Sequence, residues 1–266
     1  MRCPMQKITF KNGHTTLCEY IKPDANKTQS FTVVYTHGFC SDPFGRKPEE
    51  VKKWCVEHGL GFFRHELAGH GSDKARFEET TLNTYKNQIF EIVGEMVEGD
   101  VIVGGASLGG WLSLMAACRF PDKVKGVFGL AAAPDFLKKY IEAYFTPEHK
   151  ELLDKYGKVE FPTNDFTYII TKQMIESADE NLMLDKEVIP YSGKVRLLQG
   201  MKDAALDWRT APLIASKLAG DDVRVVLMKD SDHRLGRDED IAVIKSFLED
   251  FITFGGCAKS QSLRRI

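Results

Sequence analysis

The chain has 266 residues, a length that fits one large α/β domain or two small ones, and 43% of them are hydrophobic, enough to bury a sizeable core. A net charge of −2 without a basic stripe argues against nucleic acid as a partner. No apolar run approaches the roughly 18 residues of a membrane span, and no apolar signal segment follows Met1, so a cytoplasmic protein is expected.

Residues 7–10 and 15–21 read as a hairpin around the turn Asn12-Gly13-His14. Residues 31–36 form a nearly continuous apolar run, the kind of strand that a parallel sheet buries on both faces. A helix is expected over 48–58, with Pro48 near its first turn, and a strand over 61–65. Leu82, Tyr85, Ile89, Ile92, Val93 and Met96 recur near helical period, which predicts a helix over 82–96. A strand over 101–104, a helix over 107–119 and a strand over 124–130 follow.

The alternation then breaks. Residues 134–189 are longer than a crossover needs and carry Phe136, Tyr140, Tyr144, Phe145, Tyr156, Phe161, Phe166 and Tyr168 among charged helical runs. They are expected to form a small helical lid over one end of the sheet. The alternative is ordinary amphipathic helix with its aromatics turned to the core. A strand over 194–199, a helix over 210–218, a strand over 223–228 and a helix over 239–251 resume the pattern. Residues 255–266 are small, polar and basic, as in a flexible tail. Strand–helix alternation argues a mostly parallel central sheet flanked by helices on both faces. Its core is expected to comprise residues 1–133 and 190–254.

Six scattered cysteines without a C-x-x-C pair give no zinc or dithiol pattern. Cys55 and Cys118 fall in expected helices as free thiols, which favours a reducing compartment. Neither a metal nor a cofactor is expected. The Rossmann pattern and the P-loop pattern are both missing from the sequence.

The chemistry centres on Gly105-Ala106-Ser107-Leu108-Gly109. In a chain with 22 Gly the bare G-x-S-x-G pattern also arises by chance, so its flanks carry the weight. An apolar β-branched segment precedes it and a run of helix formers follows. Strand, tight turn and helix is the setting in which such a serine stands proud of the sheet as a nucleophile. A serine that merely caps the helix is the plainer alternative.

Ligands of such sheets sit beyond the carboxyl ends of the strands. Asp203 follows the strand over 194–199, and His233 follows the strand over 223–228. The chain order Ser107, Asp203, His233 is that of an acyl-transfer triad in an α/β protein. His233 would take the serine proton, and Asp203 would orient the imidazole. Asp230 and Asp232 compete with Asp203 as the acid. Most of the seven histidines are expected at solvent, among them His14, His58 and His149. An oxyanion site needs two amides, expected from Leu108 and from Phe39 in His37-Gly38-Phe39-Cys40, with Cys40 as the alternative to Phe39.

With Gly69-His70-Gly71-Ser72, Ser107-Leu108-Gly109-Gly110-Trp111, Ala132-Ala133-Pro134-Asp135-Phe136, Gly200-Met201-Lys202-Asp203 and Asp232-His233-Arg234, these segments resemble the α/β-hydrolase superfamily. More narrowly, they resemble its palmitoyl-protein thioesterase and acyl-glucuronide esterase group, over about 31–249. The resemblance implies an α/β-hydrolase fold and ester or thioester hydrolysis through an acyl-serine, without metal or cofactor. It assigns Ser107 as nucleophile, Asp203 as acid and His233 as base. Ala204-Ala205-Leu206-Asp207-Trp208 departs from the valine–proline pair common after the acid, which leaves Asp207 as a rival.

The expected substrate is a small acyl ester or thioester. Two other readings remain at this stage. A peptidase or amidase of the same fold would need carboxylates for a substrate amine, with Glu142, Glu148, Glu151 and Asp154 available. A hydrolase-like binding protein would carry the same segments without turnover.

Overall fold

The computed structural model describes residues 5–26, 30–162 and 167–253. In chain order the elements are β1 (Gln6–Thr9), β2 (Thr15–Ile21), β3 (Phe31–Thr36), α1 (Arg46–Glu57), β4 (Gly61–His65), a 3-10 segment (Gly71–Glu79), α2 (Leu82–Glu91), β5 (Asp100–Ala106), α3 (Leu108–Arg119) and β6 (Val124–Leu130). Then follow α4 (Phe136–Tyr144), α5 (Pro147–Tyr156), β7 (Lys158–Pro162), β8 (Thr167–Thr171), α6 (Lys172–Asp179), β9 (Lys194–Gly200), α7 (Thr210–Lys217), β10 (Val223–Met228) and α8 (Asp238–Thr253).

One eight-stranded sheet runs β1-β2-β4-β3-β5-β6-β9-β10. The β1–β2 and β2–β4 pairs are antiparallel, and every pair from β4 to β10 is parallel. This is the α/β-hydrolase architecture expected from the sequence. Successive strand side chains point to opposite faces, and the core divides accordingly. Val34, Val101, Val103, Val127, Val195 and Leu197 join a cluster with residues of α2, α3 and α7. Val33, Tyr35, Ile102, Phe128 and Leu198 join a second cluster with residues of α1 and α8. Strands with both faces covered are largely apolar, and β3, β5 and β6 are, apart from Thr32, Thr36, Asp100 at the start of β5 and the exposed Lys125.

The chain leaves β3 for β4 on one side and then crosses to β5 on the other, so the sheet reverses winding between β3 and β5. Crevices at such points are where α/β sheets bind ligands.

Two expectations about local structure need correction. The region 134–189 is not wholly helical, because β7 and β8 pair as an antiparallel hairpin between α5 and α6. The helix over 82–96 changes type, since its last turn, Ile92–Met96, is a π turn closed by Val97 N–H donating to the Ile92 carbonyl at 3.0 Å. The expected tail over 255–266 lies outside the described residues, as do Phe166, Cys3 and Cys257. Cys55 and Cys118 carry free thiols. Among the described residues no helix is long and apolar enough to cross a membrane.

Candidate active site

Ser107 joins β5 to α3 with φ 53° and ψ −115°, a left-handed conformation that side-chain-bearing residues rarely adopt. Such strain persists only where the surroundings enforce it, and here glycines do. A Cβ on Gly105 or on Gly109 would sit 2.1 Å from the Thr36 carbonyl oxygen, so the elbow packs directly on the end of β3. A Cβ on Gly110 would meet that of Ala132 at 2.6 Å, which lets α3 close on the segment after β6. The Ser107 amide donates to the Leu130 carbonyl at 2.9 Å, and its own carbonyl accepts from Ala133 at 3.1 Å. Its hydroxyl does not cap α3. The helix-cap alternative therefore fails, and the hydroxyl stays available at a half-buried position.

Asp203 and His233 meet beyond the carboxyl ends of β9 and β10. His233 Nδ1 lies 2.7 Å from Asp203 Oδ2. The loop after β10 folds back over β9, because Gly200 leaves room: a Cβ there would lie 2.3 Å from the Ser231 carbonyl oxygen. Lys202 donates to that same carbonyl at 2.9 Å. Asp203 is held on every side. Oδ2 also accepts from Gln199 Nε2 at 2.8 Å, and Oδ1 accepts from the Ala205 and Leu206 amides at 2.8 and 2.9 Å. Burial alone would push this carboxyl up, but the bond to His233, the charge of His233 and the two amides outweigh it and hold it below its ordinary value. An ionised acceptor makes Nδ1 the protonated nitrogen, which leaves Nε2 bare to take a proton.

The rival carboxylates are engaged elsewhere. Asp207 bonds the Arg209 amide, Asp230 pairs with Arg237, and Asp232 accepts from the Arg234 amide two residues on. Asp203 has a side chain 0% exposed and His233 one 32% exposed, so the pair is buried at one end and open at the other. Among the described residues no hydrogen bond joins the Ser107 hydroxyl to His233. Such bonds are often long before substrate binds.

The segment after β3 lies against the elbow, with a Cβ on Gly38 placed 3.4 Å from Ser107 Cβ. Two neutral histidines fix it. His37 Nδ1 donates to the Gly38 carbonyl at 2.8 Å, while its Nε2 accepts from the Leu67 amide at 3.0 Å. His70 Nδ1 donates to the Ala68 carbonyl at 2.9 Å, and its Nε2 accepts from the Cys40 amide at 3.0 Å. Burial first, and neighbouring histidine charge second, drive His37 well below its ordinary value, and burial lowers His70 as well. The Cys40 amide is thus spoken for. The Phe39 amide and the first amide of α3, Leu108, donate to no group among the described residues. Burial also pushes the Cys40 thiol up to about 12, so it is no competing nucleophile at neutral pH.

The aromatics of 134–189 divide. Tyr168 stacks on Phe39 with ring centroids 5.9 Å apart, and Phe136 packs on Phe39 at 5.7 Å and on Trp111 at 6.2 Å. Tyr144 and Tyr156 face solvent. Asp135 ties the two ends of this region together, its carboxylate accepting from the Met183 and Leu184 amides at 2.8 and 2.7 Å. Among the described residues no group of three or more His, Cys, Asp or Glu side chains is arranged as a metal site.

No family model matches the chain. It is 31% identical over 229 residues to a Bos taurus protein named palmitoyl-protein thioesterase ABHD10, mitochondrial, an alignment covering 85% of this chain and 74% of that one. The chain belongs to the α/β-hydrolase family of ABHD10. The solved structure of mouse alpha/beta hydrolase domain-containing protein 10 superposes with a TM-score of 0.82 at 28% identity, covering 94% of this chain and 98% of the other. A putative hydrolase from Agrobacterium vitis S4 has the same fold, with a TM-score of 0.88 at 24% identity over 95% and 100% of the two chains.

This hydrolase departs from the sequence expectations in two further respects. The cytoplasmic placement is overturned, since the ABHD10 relatives from cattle, orangutan and human are all named as mitochondrial. His14 is not a solvent histidine: it is 4% exposed, and its Nδ1 lies 2.6 Å from Asp73 Oδ2. Gln199 was not singled out from the sequence although a signal existed, a polar amide directly after the apolar pair Leu197-Leu198 near the carboxyl end of its strand.

Proposed function

We propose that this hydrolase cleaves carboxylic esters or thioesters through an acyl-serine intermediate. Ser107 Oγ attacks the substrate carbonyl carbon as its proton passes to His233 Nε2. The carbonyl oxygen gathers negative charge and is met by the Phe39 and Leu108 amides. Collapse breaks the C–O or C–S bond, and the departing alcohol or thiol takes the proton from His233. Water then attacks the acyl-serine, giving its proton to His233, and the free acid leaves as Ser107 recovers a proton. Asp203 stays ionised throughout, holding the imidazole in one tautomer and stabilising its charged form.

The observation that carries this reading is the 2.7 Å contact between Asp203 and His233, together with a strained serine at the end of β5 whose hydroxyl makes no cap bond to α3. The name of the relatives supports the thioester as one scissile bond. The amidase alternative has no such support, because Glu142, Glu148, Glu151 and Asp154 are all exposed.

The deciding experiment compares wild type and Ser107→Ala on p-nitrophenyl esters and matched acyl thioesters, together with a fluorophosphonate probe. Loss of turnover by about 10⁴-fold or more and loss of labelling are expected. Wild-type turnover in Ser107→Ala sinks the assignment. An aminoacyl-nitroanilide cleaved faster than its matched ester favours the amidase instead.

A further inference from the structure

In the mechanism above the Phe39 amide meets the developing oxyanion, so whatever holds Phe39 aims that donor. The backbone is held from the core. A peptide group is planar and trans, so its N–H points away from its C=O. His37 Nδ1 takes the Gly38 carbonyl at 2.8 Å, which turns the Phe39 N–H the other way. Cys40, the next residue, has φ 52° and gives its amide to His70 Nε2 at 3.0 Å.

The Phe39 side chain is held differently, because its ring is where the core meets the region 134–189. From the core, His70 and Phe77 approach it with centroids at 6.2 and 5.5 Å. From the other side come Phe136 of α4 at 5.7 Å and Tyr168 of β8 at 5.9 Å. Of these four rings only Tyr168 is parallel to it, with an interplanar angle of 0°. An offset stack at this spacing is a favoured aromatic geometry. Strand alternation explains why Tyr168 points here. It shares a face of β8 with Ile170, which is 3% exposed and joins the same buried cluster as Leu108. Tyr168 in turn meets Tyr140 at 6.4 Å, and Tyr140 packs edge-on against Phe161 of β7 at 5.4 Å. A run of rings therefore joins α4 and the β7–β8 hairpin to the residue that carries the donor. The donor itself is a backbone N–H, which any residue but proline supplies, so the hydrolysis has no chemical need of an aromatic side chain at this position.

We propose that the region 134–189 sets the oxyanion site through the Phe39 ring, with Tyr168 as the principal positioning residue and Phe136 as the second. The inference rests on the acyl-serine reading with the Phe39 and Leu108 amides as oxyanion donors, and adds what aims the first of them. Tyr168 acts on the chemistry through Phe39 and not on the substrate. Stabilisation of this kind depends on donors that are already in place when charge develops. Without the Tyr168 ring, Phe39 gains freedom on the side facing the hairpin, and the amide on the same Cα gains it too. His37 still holds the Gly38 carbonyl, so the loss is partial and smaller than the 10²–10³-fold usual for a missing donor.

The test compares p-nitrophenyl butyrate with its thiono counterpart, in which sulfur replaces the carbonyl oxygen and the leaving group is unchanged. Sulfur is a weak hydrogen-bond acceptor, so the thionoester gains little from an oxyanion donor. Wild type is expected to favour the ester by about 10²-fold or more in kcat, each rate being taken relative to hydrolysis by hydroxide. Tyr168→Leu is expected to lose about tenfold in kcat on the ester with KM within about twofold, and to lose little on the thionoester, so that the preference shrinks. Tyr168→Phe keeps the ring and should match wild type. In a Phe39→Leu background, Tyr168→Leu should cost less than about twofold further, because the ring it acts on is gone. Equal losses on ester and thionoester overturn the positioning role, and so does an undiminished loss in the Phe39→Leu background. Tyr168→Phe behaving like Tyr168→Leu overturns the stacking. If Tyr168→Leu does not fold, Phe136→Leu carries the same comparison, with a shrunken ester preference expected and equal losses on both substrates overturning the proposal. A wild type without preference for the ester overturns the oxyanion reading itself, which tells that failure apart from failure of the coupling.

Discussion

Gln199 Nε2 donates to Asp203 Oδ2 at 2.8 Å, the same oxygen that receives His233 Nδ1 at 2.7 Å. The amide comes from the fully buried end of β9, so it fixes the carboxylate from a rigid strand rather than from a loop. Gln199→Leu removes that anchor while leaving the two backbone donors in place. A fall in kcat of about ten- to a hundredfold with little change in KM is expected, as for other residues that orient a reacting group through a neighbour. The same variant should raise the acid limit of kcat, because a lost donor makes the Asp203 carboxylate easier to protonate. Unchanged kcat and an unchanged acid limit would show that the loop amides suffice.

Gly109 and Thr36 are in backbone contact, and the segment that follows Thr36 supplies the Phe39 amide. An added methyl at Gly109 would lie 2.1 Å from the Thr36 carbonyl oxygen and 2.8 Å from that of His37, so one backbone must retreat. Gly109→Ala is expected to lower kcat by about 10²-fold or more, the usual scale for a misplaced oxyanion donor. It should also destabilise the protein by about 1–3 kcal/mol through overpacking. Gly45→Ala is the matched control, since its Cβ meets nothing within 4 Å. Equal losses in the two variants, measured by chemical denaturation and by steady-state kinetics, would contradict the steric argument.

Lys47, on α1, donates from Nζ to the carbonyl of Arg234, the residue after His233. Burial lowers its pKa to about 8 despite the pull of Asp232 and Asp240. The folded state therefore holds this proton less tightly than the unfolded chain. Its contribution is unfavourable below about pH 8 and improves as pH rises from there toward the ordinary value of 10.5. Lys47→Met removes the half-buried charge and the tether together. It should be no less stable than wild type at pH 7, yet lose about tenfold in kcat as the His233 loop loosens. A parallel drop in melting temperature would mean that Lys47 is chiefly structural.

His37, His65 and His70 are buried and held neutral, in each case first by burial, and His65 is lowered to about 4. The unfolded chain takes these protons near pH 6.5, whereas the native state takes them only at lower pH. Stability should be full above about 6.5 and decline as pH falls from there, by about 1 kcal/mol per pH unit for each histidine. Urea midpoints at pH 7, 6 and 5 measure that slope. His65→Leu should flatten it by roughly one proton, because one imidazole that titrates differently in the two states is gone. A slope identical in the variant would place the protons elsewhere.

The parallel strands and the chain order of Ser107, Asp203 and His233 were legible because each depends on local pattern. Apolar runs mark strands covered on both faces, and polar residues just past their ends mark the ligand edge. What escaped depends on distance or on a single residue of phase. His14 finds Asp73 across 59 positions, and nothing near His14 announces it. The π turn at Ile92–Met96 shifts one hydrogen bond from the fourth to the fifth residue, a change that hydrophobic spacing does not register. The hairpin of β7 and β8 is only five residues per strand. Val159 and Ile170, directly paired, are its buried contacts with the core. Set between charged helical stretches, so short an alternation reads as helix. The Cys40 amide illustrates a different limit: the sequence placed two adjacent amides near the oxyanion, and only the His70 acceptor separates them.

Asp135 bears most directly on the region above the site. It has φ 59°, is 2% exposed, and its two carboxylate oxygens receive the Met183 and Leu184 amides 48 and 49 residues away. The strained backbone turns the chain into α4, while the side chain returns the far end of the region to its start. Asp135→Ala leaves two amides without an acceptor, at about 1–3 kcal/mol each. Asp135→Asn keeps one acceptor and should lie between the variant and wild type. The melting temperature is expected to fall by roughly 4–15 °C for Asp135→Ala, and limited proteolysis should cut first within 134–189. Because Phe136 follows Asp135 and packs on Phe39 and Trp111, loosening the clasp should also weaken discrimination among acyl groups before it abolishes hydrolysis. Selectivity that stays fixed while stability falls would show that the clasp holds the fold but not the packing of Phe136 on Phe39 and Trp111.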